Sequence, residues 1–139
     1  MSNVFTYGSL MFDRVWSEVV EGSYDRVESL LQGYDRKSVR NEDYPVIVPS
    51  SPHSQVQGIV YYDVSTADLT RLDRFEGGYY FRKTVEVLTV DKIKLEAEVY
   101  ILKEEYYSII SFREWDPDHF CATGIHIFLK HYMENYKKQ

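Results

Sequence analysis

The stretch Ser65-Thr66-Ala67-Asp68-Leu69-Thr70-Arg71-Leu72-Asp73-Arg74-Phe75-Glu76-Gly77-Gly78-Tyr79-Tyr80-Phe81-Arg82 passes from helical to strand spacing without a linker. Ser65 or Thr66 can cap a helix, and Ser65 with Asp68 has capping-box spacing. Leu69, Leu72 and Phe75 give that helix a buried stripe, and Gly77-Gly78 stops it. Beyond the glycines, Tyr80 to Val90 and Leu95 to Leu102 alternate as two antiparallel strands do.

Working outward, Val4, Phe5 and Tyr7 form a β-prone run ended by Gly8-Ser9. Phe12, Val15, Trp16, Val19 and Val20 then fall at helical spacing, with a start near Asp13. Val27 to Val39 holds strand formers broken at Gly33, and Gln55 to Val64 reads as another strand. Tyr44-Pro45-Val46-Ile47-Val48-Pro49 is a strand fragment fenced by prolines, which cannot donate to a ladder. It belongs at a sheet edge or a barrel rim. Asp116-Pro117-Asp118 supplies an N-cap, a proline at N1 and an acid in the first turn. Phe120, Cys121, Ile125, Phe128 and Tyr132 follow at helical spacing, interrupted at Gly124. A strand-dominated centre with flanking helices is α+β, a small barrel or a strongly curved mixed sheet. Residues 1–139 read as one domain, with a helical extension from about residue 104.

Composition narrows the function classes. The 139 residues suffice to bury a core without a staple, and the 44% apolar share fits a globular chain. A net charge of −6 argues against phosphate-backbone binding, so no nucleic-acid partner is expected. Thirteen tyrosines suit the walls of a polar pocket. The single cysteine, Cys121, cannot form an internal disulfide, which favours a reducing, cytoplasmic setting. No apolar run is long enough to span a membrane, and the N-terminus does not read as a secretion signal. Nothing in the chain reports its oligomeric state.

Phe5-Thr6-Tyr7-Gly8-Ser9-Leu10-Met11 and Leu72-Asp73-Arg74-Phe75-Glu76-Gly77-Gly78-Tyr79-Tyr80-Phe81-Arg82 resemble the two signature blocks of the γ-glutamylcyclotransferase-like superfamily. Tyr44-Pro45, Val56-Gln57-Gly58 and Ala97-Glu98-Val99-Tyr100 are weaker matches in the right order. Trp115-Asp116 followed by Phe120 resembles an extension of its avirulence-induced-gene-like branch. The resemblance spans residues 4 to about 130. It implies a β-barrel-centred α+β fold and one cofactor-free reaction. The α-amine of a small γ-glutamyl substrate attacks its own γ-carbonyl, leaving 5-oxoproline and releasing an amine or amino acid. It also implies that Glu76 is the general base and that Tyr7, Gly8, Ser9 and Leu10 hold the γ-glutamyl group.

The residues support this chemistry on their own terms. Ring closure joins two groups already held in one molecule, so positioning can supply about 7–11 kcal/mol of the barrier. One carboxylate can then take a proton from the ammonium and return it to the leaving nitrogen, for about 10²–10⁴-fold. Glu76 sits at the negative end of its helix beside Phe75, a placement that raises proton affinity. The alternative is a solvated glutamate in a tight turn. Gly8 and Ser9 follow a strand where backbone N–H groups can bind a carboxylate or an oxyanion; the alternative is an ordinary turn. Tyr80 and Arg82 share a strand face. Arg82 could hold a substrate carboxylate, but pairing with a buried acid is the stronger reading. Tyr100 could turn its hydroxyl into the pocket or form its rim. The doubled Tyr79-Tyr80 leaves open which tyrosine faces the pocket. His119, Cys121, His126 and His131, spaced by two, five and five, do not form an i, i+4 ligand pair, so no metal is expected. A non-catalytic module binding a γ-glutamyl-like molecule is the rival function.

Overall fold

The computed structural model describes residues 2–40, 42, 44–111 and 115–120. Among these residues seven strands are formed: β1 (Ser2–Thr6), β2 (Arg26–Gln32), β3 (Tyr34–Ser38), β4 (Pro45–Pro49), β5 (Gln55–Val64), β6 (Tyr80–Thr89) and β7 (Lys94–Leu102). Three described helices accompany them: α1 (Asp13–Val19), α2 (Thr66–Glu76) and the short α3 (Pro117–His119). Single 3-10 segments lie at Ser9–Met11 and Glu104–Ile109. No helix among the described residues is long and apolar enough to cross a membrane.

Five strands close into a barrel in the order β1-β5-β2-β6-β7, and β3 and β4 form a separate antiparallel pair. The fold is therefore the expected α+β barrel with a mixed sheet. β5 pairs antiparallel with both β1 and β2. Closure comes from the parallel contact of β1 with β7, where Val4 faces Glu98. The proline-fenced β4 stays outside the barrel, paired along its length with β3. The break at Gly33 is a positive-φ turn (φ +90) between β2 and β3.

Alternation along β1 separates two cores. Phe5 points inward with Leu31, Val56, Val60, Val87, Ala97, Val99 and Ile101 to fill the barrel. Val4 points outward and joins Val15, Trp16, Val19, Tyr61, Val64, Leu72 and Phe75 between barrel and helices. Trp16 stacks on Tyr61 with ring centroids 3.6 Å apart. Each fully buried aliphatic or aromatic side chain contributes about 1.5–3 kcal/mol. β1 and β5 approach so closely that a Cβ on Gly58 would lie 2.1 Å from the Thr6 carbonyl oxygen and 2.6 Å from the Phe5 ring. Glycine at 58 is thus a condition of barrel closure.

Helix α2 starts as expected, with the Ser65 hydroxyl accepting from the Asp68 N–H at 3.1 Å. The capping box is only half formed. The Ser65 N–H donates to the Tyr24 hydroxyl instead of to Asp68. The Asp68 carboxylate is drawn away by better partners, accepting from the Glu21 and Gly22 N–H groups, the Tyr24 hydroxyl and the Arg71 guanidinium. Burial alone would raise its pKa, but these bonds hold it down at about 2. The Asp116 cap of α3 forms, accepting from the Asp118 N–H at 2.9 Å. The helical spacing from Cys121 to Tyr132, and Cys121, His126 and His131 themselves, lie outside the described residues, as does the side chain of His119.

Candidate functional site

Helix α2 carries Glu76 as its last residue, and Gly77 ends it at φ +79 and ψ −164, a conformation open in practice only to glycine. Glu76 stands one turn after Leu72, which is fully buried, so the helix turns this carboxylate toward the core instead of toward water. It opens into a cleft with Phe5, Thr6, Tyr7, Gly8, Ser9, Leu10, Tyr44, Pro45, Phe75, Tyr80 and Tyr100. The cleft encloses about 430 Å³ including its mouth. None of these lining residues is a lysine, arginine or histidine. Glu76 itself has no hydrogen-bond or ion-pair partner among the described residues. Burial, reinforced by the nearby charge of Asp73, pushes its pKa up to about 8.

The opposite wall is the turn after β1. The Met11 N–H bonds the Gly8 carbonyl at 3.0 Å and the Phe12 N–H bonds the Ser9 carbonyl at 3.2 Å. The N–H groups of Gly8, Ser9 and Leu10 sit at the open end of this turn, and none of them donates to a partner among the described residues. Gly8 also lets the main chain pass the rim of β4, since a Cβ there would lie 2.7 Å from Cδ and Cγ of Pro45.

Tyrosines complete the walls. The Tyr7 hydroxyl donates to the Tyr100 carbonyl at 2.7 Å, and burial together with Glu76 raises its pKa well above the ordinary value. The Tyr100 hydroxyl donates to Asp73 Oδ1 at 2.6 Å; burial and this acidic partner raise its pKa too. Tyr100 thus lines the cleft, but its hydroxyl is committed to Asp73. Tyr80 lines the cleft, whereas Tyr79 is exposed and packs edge-on against Tyr106. Arg82 lies outside the cleft. Its Nε is 3.4 Å from Asp73 Oδ1, an acid with 43% of its side chain exposed, so the pair is not a buried one. Asp73, Gly77, Tyr80, Arg82 and Tyr100 line an adjoining recess of about 530 Å³ including its mouth.

Asp73, Tyr44 and Pro45 stand in the motifs quoted from the sequence but were given no role at the site. Asp73 had a local signal, since i, i+3 spacing on a helix sets it beside Glu76. Tyr44 comes from a segment distant in sequence, just before β4, so its place on the cleft wall had no local signal. Burial, then the charges of Glu42, Tyr79 and Glu76, push the Tyr44 pKa up to about 12, so it remains protonated.

A model of the family described as Gamma-glutamyl cyclotransferase, AIG2-like matches residues 4–117. The chain is 38% identical over 122 residues to Protein AIG2 C of Arabidopsis thaliana, covering 84% of this chain and 73% of that protein. A protein of Arabidopsis thaliana solved in solution superposes with a TM-score of 0.72 at 30% identity, covering 99% of this chain and 84% of that one. A solved gamma-glutamyl cyclotransferase superposes with a TM-score of 0.64 at 19% identity, covering 73% of this chain and 66% of that one; this likeness is one of fold.

Proposed function

We propose that this chain, which belongs to the Gamma-glutamyl cyclotransferase, AIG2-like family, cyclises a small γ-glutamyl compound to 5-oxoproline. The observation that carries the reading is the pairing, across one narrow cleft, of a half-buried Glu76 and backbone N–H groups that have no partners among the described residues. A carboxylate with a pKa of about 8 can exchange a proton with an α-ammonium near neutral pH, which an ordinary glutamate does poorly.

In the proposed reaction the N–H groups of Gly8, Ser9 and Leu10 hold the carboxylate of the γ-glutamyl group. Glu76 takes a proton from the α-ammonium, and the freed amine attacks the γ-carbonyl carbon. A carbon–nitrogen bond forms within the new five-membered ring as the bond to the leaving nitrogen breaks. Glu76 returns its proton to that nitrogen and then relays to it the second proton that the ring nitrogen sheds on becoming an amide, so the leaving group departs as an ammonium and the enzyme ends as it began. The apolar faces of Phe5, Phe75 and Leu10 exclude water that would otherwise solvate Glu76. The adjoining recess of Tyr80, Tyr100 and Arg82 gives the leaving group a way out beside Glu76.

A pocket blocked by the tail would favour a non-catalytic binding module instead. Trp115 packs on Arg36 and Phe120. The test is a screen of γ-glutamyl compounds for 5-oxoproline release, with Glu76→Gln alongside. Release by the native chain and its loss in the variant support the reading. Binding of such compounds without turnover would favour the module.

A further inference from the structure

We infer that Arg36 is a positioning residue for this cleft: its hold on the Tyr7 carbonyl fixes the Tyr7–Gly8 peptide with the Gly8 N–H facing the substrate. The inference rests on the γ-glutamyl reading above.

Tyr7 stands one residue past the last β1–β5 pair, Thr6 with Ile59, so the barrel ladder no longer fixes its carbonyl. Arg36 takes over. Its Nη1 donates to the Tyr7 carbonyl at 2.9 Å and to the Gln57 carbonyl at 3.2 Å. Arg36 belongs to β3, Gln57 to β5, and Tyr7 to the turn after β1, so one guanidinium ties the outer strand pair and the barrel to the cleft wall. The guanidinium also lies over the Trp115 ring, with its carbon 5.2 Å from the ring centroid.

The grip on an oxygen controls a hydrogen. A trans peptide is planar, with C=O and N–H pointing in opposite directions, and no described peptide bond is cis. Arg36 and Gln57 line a groove with Met11, Gly58 and Pro117, a surface that Tyr7 and Gly8 do not share. Tyr7 and Gly8 line the cleft, which Arg36 does not. A carbonyl turned toward Arg36 therefore sends the Gly8 N–H to the cleft side. The positive charge behind the peptide adds to its dipole in the sense that favours an anion in front of it. Because the carboxylate of the substrate is held alike before and during reaction, loss of this positioning acts on KM more than on kcat.

The experiment compares the native chain with Arg36→Gln and Arg36→Lys. Each is followed by melting, by KM and kcat on a γ-glutamyl substrate, by titration with 5-oxoproline, and by the ligand-free amide resonance of Gly8. Arg36→Gln is expected to raise KM and weaken 5-oxoproline on the order of tenfold, the size of one lost bond to a charged group, with kcat little changed. Its Gly8 resonance should move more than those of Val4 and Phe5. Arg36→Lys, which keeps the charge but not the planar, multi-donor guanidinium, should fall between. A folded Arg36→Gln or Arg36→Lys with native KM and an unmoved Gly8 resonance would overturn the inference. So would shifts spread evenly along β1. If Arg36→Gln does not fold, Arg36→Lys decides on the same two readouts. If the native chain releases no 5-oxoproline at all, the cyclisation reading falls alone, and the Gly8 resonance still decides the role of Arg36.

Discussion

Replacing Glu76 by glutamine should abolish most turnover while making the protein more stable, and the gain should grow with pH. Glu76 binds its proton more tightly in the folded chain, where its pKa is about 8, than in the unfolded chain, where it is near 4.5. Between those values the unfolded chain has released the proton and the native chain has kept it. Stability therefore falls as pH rises through this window. The full shift corresponds to a ceiling of about 5 kcal/mol, at about 1.4 kcal/mol per pH unit. Water at the cleft mouth screens part of it, leaving about 2–3 kcal/mol once Glu76 is ionised in the fold. Glutamine has the same shape and no charge to bury. At roughly 3 °C per kcal/mol for a chain of this size, Glu76→Gln should melt about 6–9 °C above the native protein at pH 8.5. At pH 5, where the native carboxyl is protonated, the two should melt within about 2 °C of each other. The assay pairs melting at both pH values with 5-oxoproline release, which should fall about 10²–10⁴-fold. A melting difference that does not change with pH would refute the burial argument. Native turnover in a variant that melts normally would show that Glu76 is not the base.

The activity of the native chain should rise toward alkaline pH with a midpoint near 8 in kcat/KM, because only ionised Glu76 can take a proton. Asp73→Asn should move that midpoint down, by removing the charge that raises Glu76; a midpoint that stays put would separate the two groups. Asp68→Asn should cost about 3 kcal/mol in urea unfolding at pH 7, since a buried carboxylate with four donors loses its charge. The native stability carried by Asp68 is present above its unfolded pKa of 3.8 and is lost as pH falls through about 2. Gly58→Ala should cost about 3 kcal/mol or more, because its methyl meets a backbone carbonyl at 2.1 Å that cannot step aside. An alanine variant with native urea midpoint would mean that β1 and β5 can separate without loss.

The fold was legible wherever one local rule acted alone. Strand alternation located β5, β6 and β7 to within a residue or so, because a half-buried strand must alternate. Prolines placed β4 away from the barrel ladders, because the ring removes a donor. Barrel closure itself had no local signature. It depends on the parallel meeting of Val4 with Glu98, far apart in the sequence, and on how closely β5 can pass β1 at Gly58. The Ser65–Asp68 pair shows the converse error. Its spacing was right for a capping box, yet Tyr24 and the Glu21–Gly22 backbone, brought in by α1, offered Asp68 more hydrogen bonds than Ser65 could.

The same division runs through the candidate site. Glu76 breaks a local preference, being an acid at the negative end of a helix. The Tyr7–Leu10 turn, by contrast, follows ordinary turn chemistry and was singled out through the motif it resembles. The groups that tune and hold them keep every local preference. Asp73 is an ordinary helix acid, and Arg36 an ordinary strand residue with a long side chain. Their consequence appears only in three dimensions, where Asp73 stands beside a half-buried carboxylate and Arg36 reaches the carbonyl behind Gly8. A residue that acts on the reacting groups must be chemically unusual at its own position. A residue that acts through another need only be within reach, and reach is a property of the fold. It follows that substitutions at Glu76 should appear chiefly in kcat, and those at Arg36 in KM and in the geometry of one peptide.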